Sequence, residues 1–284
     1  MGLFDFLFES VKSMAAGFEE QNRARQEQEN RARQEQETAA RTNWFKQHAR
    51  VESISIFKKT VVDFCYVPPG QFKMGDAKVD VTLSTGFWLA RVPVTHGVWK
   101  AVTGESPSNF EGNPDLPLES VSWDDCARFI GLLKKSLVLE GTKYRFDFPT
   151  EAQWEYACRA GSVGPYAVEK FWCGQQHPFP VGQLPGNALG LQDMHGNVSE
   201  WCRDVYQGLP GGNDPCVLPP PLPEPPAIRP RGWRPPPPWP VDRVRRGGSW
   251  NDGAALCSAA YRTPYRSDLR YNSIGFRLAL VPSL

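Results

Sequence analysis

The first apolar signal in the chain is helical. Phe4, Leu7, Val11, Met14 and Phe18 recur at alternating spacings of three and four, which lines one face of a helix with apolar side chains. That face needs a partner, and two uses are open: self-association or docking through residues 3–18, or packing back onto the same domain. A membrane surface is disfavoured, because Asp5, Glu9, Glu19 and Glu20 outnumber Lys12 and repel anionic lipid. An exact tandem octad follows, Asn-Arg-Ala-Arg-Gln-Glu-Gln-Glu at 22–29 and again at 30–37, built of good helix formers with no apolar stripe. It reads as a solvated helical spacer. From about Trp44 the pattern shortens to β-rich runs punctuated by Gly and Pro, at 51–57, 61–67, 72–74, 81–83 and 87–90. Two main helices are expected beyond them. One spans 122–139, capped by Ser122 or Asp124, with Ala127, Ile130, Leu133 and Leu137 in helical spacing. The other spans 150–160, with Thr150 as cap, Glu151 in the first turn and Gly161 as the stop. Cys126 and Cys158 fall on their apolar faces and read as small core residues.

Proline changes the picture after residue 208. Between Pro210 and Pro240 lie 14 of the 27 prolines, so 209–240 is expected to run as an extended insertion that cannot join a sheet. The 284 residues, 40% of them hydrophobic, suffice for a core, and 32 basic against 31 acidic side chains leave no electrostatic footprint for nucleic acid. No apolar run reaches the roughly 18 residues of a membrane span. The seven cysteines show no CxxC and no short spacing to a histidine, which argues against structural zinc. With no basic, cleavable leader at the start, free thiols in a reducing cytoplasm are the expectation. The four histidines form no HxxxH or HxH pattern, and no Ser or Cys sits in a nucleophile-elbow context.

Several segments together carry a family likeness. They are Arg-Val-Pro-Val-Thr ending at Thr95, Val-Ser-Trp-Asp-Asp from Val121, Phe-Pro-Thr-Glu-Ala-Gln-Trp-Glu-Tyr-Ala from Phe148, Asp-Met-His-Gly-Asn-Val-Ser-Glu-Trp from Asp193, Arg-Gly-Gly-Ser-Trp from Arg246, and Ile-Gly-Phe-Arg from Ile274. In this order, from about residue 60 onward, the chain resembles the formylglycine-generating-enzyme (sulfatase-modifying factor) family. The resemblance implies an α+β, C-type-lectin-like fold, loop-rich with short strands. The expected organisation is a helical, polar tail at 1–45 and a family domain at 46–284 that carries the Pro-rich insertion 209–240. The oxygen-dependent enzymes of the family hold copper with two cysteines after Gly-Gly-Ser. Here 251–257 offers only Cys257, too few thiolates for that site. Cys257 is therefore expected to pack rather than react. Asp193, Met194, Gly196, Val198 and Glu200 match positions where catalytic relatives bind calcium through carboxylate and carbonyl oxygens, so Ca²⁺ is a possible ligand and no cofactor is required. His195 is expected to serve as a hydrogen-bonded turn histidine.

Within 250–277 the framework is family-like and the filling is not. Gly247, Gly248, Ser249, Trp250, Cys257, Arg262, Asp268, Arg270, Ile274, Gly275, Phe276 and Arg277 form the frame. The filling reads Asn251, Asp252, Gly253, Leu256, Tyr261, Thr263, Tyr265, Arg266, Leu269, Tyr271, Asn272 and Ser273. The segment resembles the variable region of a diversity-generating retroelement target, in which adenines of a template are randomised. An Asn codon of the AAC type then yields every residue type in the filling and never Lys, Glu, Gln, Met or Trp. Lys, Glu, Gln and Met are absent from all of 251–273. Tyr, Ser, Gly and Asn also suit a binding surface, combining rigid amphipathic contacts with adaptable hydrogen bonds. The expected function is noncatalytic binding of a macromolecular ligand, in the first place a protein. The alternative is a sulfatase-modifying-type oxidase or an inactive accessory domain of that family.

Overall fold

The structure is a computed structural model that describes residues 3–136, 138–219 and 240–283, without the side chains of 3–16. Helix α1 (Leu3–His48) takes in the whole tail, roughly 70 Å at 1.5 Å per residue. Its two octads place ion pairs at equivalent positions, Arg25–Glu29 at 3.0 Å and Arg33–Glu37 at 3.3 Å. Such exposed i,i+4 pairs add a few tenths of a kcal/mol each. From residue 17 to 37 the helix is exposed on every side. Burial begins with the stripe Thr38, Thr42 and Phe45, whose ring meets Tyr156 edge-on at 5.5 Å. The last turns of the helix therefore dock on the domain. The apolar side chains of Phe4, Leu7, Val11 and Met14, on which self-association rests, lie outside the described residues, while Phe18 is exposed.

The domain begins with five strands: β1 (Val51–Phe57), β2 (Thr60–Val67), β3 (Gly70–Met74), β4 (Val79–Leu83) and β5 (Phe87–Ala90). Helices α2 (His96–Thr103) and α3 (Trp123–Lys135) follow, then β6 (Tyr144–Asp147) and α4 (Glu151–Arg159). The second half holds β7 (Ser199–Val205), β8 (Gly212–Asn213), β9 (Asp242–Arg246), β10 (Arg262–Arg266), β11 (Ile274–Gly275) and β12 (Ala279–Pro282). Ser122 and Asp125 form a reciprocal capping box at α3, as do Thr150 and Gln153 at α4, so each helix starts where its sequence signal stands. The structure departs from expectation at three places. Helix α2 is a third domain helix, announced only by the Thr95 cap. Helix α3 ends at Lys135 because Ser136 turns both its amide and its hydroxyl onto the Leu133 carbonyl, so Leu139 stands beyond it in a turn. The 209–240 insertion does join a sheet at its start: the proline-free Gly212 and Asn213 pair in parallel with Val81 and Thr82. Its residues 220–239 lie outside the described residues.

Three sheets result, in the orders β1-β2-β5-β12-β6, β10-β9-β7-β11 and β3-β4-β8. Strand β12 runs antiparallel to both β5 and β6, with Ala279 opposite Leu89 and Asp147. One apolar cluster gathers around α4, with Phe45, Phe87, Trp154 and Met194 buried in it. A second gathers around α2 and α3, with Trp99, Phe129, Phe146, Trp201 and Phe276. Among the described residues no helix is long and apolar enough to cross a membrane.

Candidate ligand-binding surface

Buried charge fixes the frame of the C-terminal segment. The Arg246 guanidinium, fully buried, donates to Glu155 and to the carbonyls of Ala259, Ala260 and Tyr261. Arg262 grips Glu151 with two hydrogen bonds of 2.6 and 2.7 Å. Arg277 does the same to Glu200 at 2.7 and 2.6 Å, and Trp154 Nε1 adds a third donor at 2.7 Å. Charges removed from water this far persist only when paired, as these are, and of the three guanidiniums only Arg246 leaves a buried nitrogen, its Nε, without a hydrogen bond. Together they clamp the start of β10, where Arg246 stands opposite Arg262, and the chain between β11 and β12 onto α4 and β7.

The loop between the clamps hangs on Gly248 and Trp250. Gly248 has φ of +63°, and a Cβ there would lie 2.6 Å from both Cys257 Sγ and the Leu256 carbonyl, so only glycine lets the short 3₁₀ turn Ala254–Cys257 close beneath it. Trp250, 8% exposed, donates its amide to Asn197 O at 2.8 Å and its indole N–H to Asn272 O at 3.3 Å. Both ends of the filling are thus tied to one ring. Asn251 and Asp252 approach the Ser249 hydroxyl at 2.7 and 2.6 Å.

Most of the filling faces outward from this frame. Asn251, Gly253, Arg266, Leu269 and Tyr271 are exposed, the last at 50%, and Asp252, Leu256, Tyr261, Thr263, Tyr265 and Asn272 are half-buried. Tyr265 and Tyr271 lie together with ring centroids 6.4 Å apart, and Arg266 pairs with Asp268 at the surface at 2.8 Å. Tyr265 also rests on buried Trp201, 6.0 Å between centroids, so it is part floor and part surface. Ser273 corrects the expectation. It is 2% exposed, with its carbonyl bonded to Ser199 N where β11 joins β7, and it cannot present a side chain to a ligand.

Two neighbours of this surface come from outside the segment. Arg245 stands opposite Thr263 in the β9–β10 register, its guanidinium 5.4 Å over the Tyr265 ring. Phe110 meets Trp250 edge-on at 5.6 Å. Strand alternation would have placed Arg245 on the face of Thr263 and Tyr265. Nothing in its local pattern announces Phe110.

A match to the sulfatase-modifying factor enzyme 1-like domain covers residues 52–281. The chain belongs to the sulfatase-modifying factor family. It is 30% identical over 236 residues to the formylglycine-generating enzyme of Thermomonospora curvata, covering 73% of this chain and 69% of that enzyme. It is 29% identical over 211 residues to the inactive C-alpha-formylglycine-generating enzyme 2 of Mus musculus, covering 66% of this chain and 56% of that protein. Among solved structures, Treponema denticola variable protein 1 superposes with a TM-score of 0.66 at 23% identity, over 82% of this chain and 99% of that one. The fold is the α+β, C-type-lectin-like fold of the family.

The family's metal and thiol positions take a different form here. Both Glu200 oxygens are occupied by Arg277 and Trp154, so Glu200 is the partner of a buried guanidinium. Asp193 accepts from Gly182 N at 2.7 Å, and burial pushes its carboxyl up to about 6. Met194, Gly196 and Val198 are buried in the same turn, and Gly196 lies so close to Trp172 that a Cβ would fall 2.0 Å from its carbonyl oxygen. Of the two carboxylates among the five positions, Glu200 is thus already neutralised, and the described residues hold no group of three or more acidic, His or Cys side chains suited to a metal. His195 is buried, its Nδ1 2.7 Å from Cys257 O and its Nε2 accepting from Ala167 N at 3.1 Å, and burial lowers its pKa to about 4. It braces the loop as a neutral ring. All seven cysteines are free, and Cys257 is buried.

Proposed function

We propose that this chain is a noncatalytic binding protein whose surface around residues 251–272 takes a macromolecular ligand, in the first place a protein, and is diversified by a retroelement. The observation that carries the reading is the separation of roles along one short segment. Buried ion pairs lock Arg246, Arg262 and Arg277, while eleven of the twelve filling positions keep surface. Recognition then works through a rigid scaffold with interchangeable side chains, Tyr271 and Leu269 supplying apolar contact and Asn251, Asn272 and Arg266 polar contact. Nucleic acid has no place in it, the thiols suit a reducing cytoplasm, and helix α1 serves as tether or oligomerisation arm.

The test is the DNA next to the gene. A near-copy of the codons for 250–277 that differs only at adenines, accompanied by a reverse transcriptase, is the expected finding, and sibling sequences invariant over 251–273 would overturn it.

Family membership favours one rival, an oxidase in which Cys257 and a second cysteine act on a substrate thiol. Burial first, then the neighbouring Cys173 and Asp252, push the Cys257 thiol up to about 12, which leaves essentially no thiolate at neutral pH. Stoichiometric copper that is lost in Cys257→Ser would reinstate the rival.

A further inference from the structure

Helix α1 docks on the domain only through its last turns, by way of Thr38, Thr42 and Phe45, and its residues 17–37 are exposed throughout. Packing, more than propensity, is what ordinarily holds a helix in place. The two octads give the exposed stretch two rows of charge at i,i+4 spacing. One row, Arg23, Glu27, Arg31 and Glu35, ends in the cleft between the helix and residues 162–164, so the domain occupies that side. The other, Arg25, Glu29, Arg33 and Glu37, lies across the helix from the docked stripe, and its side chains keep between 54% and 81% of their surface. Phe18, 67% exposed, and Trp44, 40% exposed, stand on the same side at the two ends of this row.

The order of the charges selects the occupant of that side. Along the open row the sign alternates, Arg, Glu, Arg, Glu. In a parallel pair in register each charge would meet its own kind, and a parallel stagger of four residues would leave the two copies inequivalent and the assembly open-ended. Reversal resolves both problems. Run antiparallel about a two-fold axis at residue 31, Arg25 meets Glu37 and Glu29 meets Arg33 of a second copy, each twice over by symmetry. The same register sets Phe18 abreast of Trp44, and no other antiparallel register matches all four charges within the row. We propose that the chain forms an antiparallel, two-fold symmetric dimer through this side of α1, in which the apolar ends supply buried area and the charges fix direction and register. The inference rests on the reading of α1 as an oligomerisation arm and is independent of the display surface.

The test is the mass of the full chain by sedimentation equilibrium, with two sets of variants. The parent should be a dimer in the tens of micromolar and weaken as salt is raised. E29K/E37K makes the row all basic and R25E/R33E makes it all acidic. Each alone should dimerise about tenfold more weakly than the parent, and an equimolar mixture of the two should recover the dimer. Direction is read by oxidative cross-linking at exposed Asn22 and Ala40, with the linked peptides identified by mass spectrometry. Asn22→Cys should link to Ala40→Cys in a mixture and not to itself, since the two copies of residue 22 would lie roughly 27 Å apart. A parent mass other than that of a dimer, a mixture of charge variants that stays monomeric, or the absence of a link between 22 and 40 would each overturn the proposal, and all three leave the test of the display surface standing.

Discussion

Arg262 and Arg266 begin and end the same five-residue strand and live in different worlds. The first is half-buried and clamps a fully buried glutamate, whereas the second lies at the surface against Asp268 and can be exchanged for another residue at little cost. The contrast extends to the whole C-terminal segment. Its frame is paid for by interactions that fail badly when one partner is lost, and its filling makes few contacts the fold depends on. A chain can therefore hold the two side by side, provided that the backbone between them is set by the frame alone.

That separation can be broken experimentally. The largest loss is expected for Arg246→Met, which leaves Glu155 with Arg159 alone and takes the guanidinium donor from the carbonyls of Ala259, Ala260 and Tyr261, and should cost about 3–5 kcal/mol in urea denaturation. A loss near zero would mean that the frame is not what holds the loop. Gly248→Ala comes next, since its methyl collides with Cys257 Sγ and Leu256 O at 2.6 Å in a left-handed conformation, and about 1–3 kcal/mol is expected by the same measurement. The two neighbouring tyrosines then sharpen the line between floor and surface. Tyr265→Ala should lower the melting temperature because its ring packs on Trp201, while Tyr271→Ala should stay within about 0.5 kcal/mol of the parent. If the ligand sits where we place it, Tyr271→Ala should still weaken its binding by ~1 kcal/mol or more in calorimetry.

A pH dependence extends the comparison to the turn beneath the segment. Asp193 titrates at about 6 when folded against 3.8 in its ordinary range, because burial disfavours its charge. The folded chain thus holds this proton more tightly than the unfolded one, and the stability it contributes is present below about pH 4 and lost as pH rises through about 6. Asp193→Asn, which suits the positive φ of 56° at this position, should melt like the parent at low pH and above it at neutral pH.

Much of the fold was legible because local signals and tertiary demands agree. Strands β1 and β5 occupy the residues their patterns predict, and Ser122 and Thr150 cap the helices they announce. Helix α2 escaped notice because eight residues beginning His-Gly carry too little periodicity to stand out. The boundary of α3 was hidden because Leu137 continues the helical spacing of the sequence after Ser136 has already ended the helix. At the site, the codon argument proposes which positions vary, but not which way each one points. Ser273 is buried by its pairing with β7, and Tyr265 is half-sunk on Trp201, both consequences of long-range register. The contributions of Arg245 and Phe110 likewise arise from chain folded against the segment.

Strand β12 lies between β5 and β6 in the middle of its sheet, and it is translated after the display segment. A stop codon or frameshift anywhere in 251–277 therefore deletes an interior strand and strips β5 and β6 of a pairing partner at once, so a damaged copy is a candidate for proteolysis. The family fold thus depends on the reading frame staying open through the whole C-terminal segment.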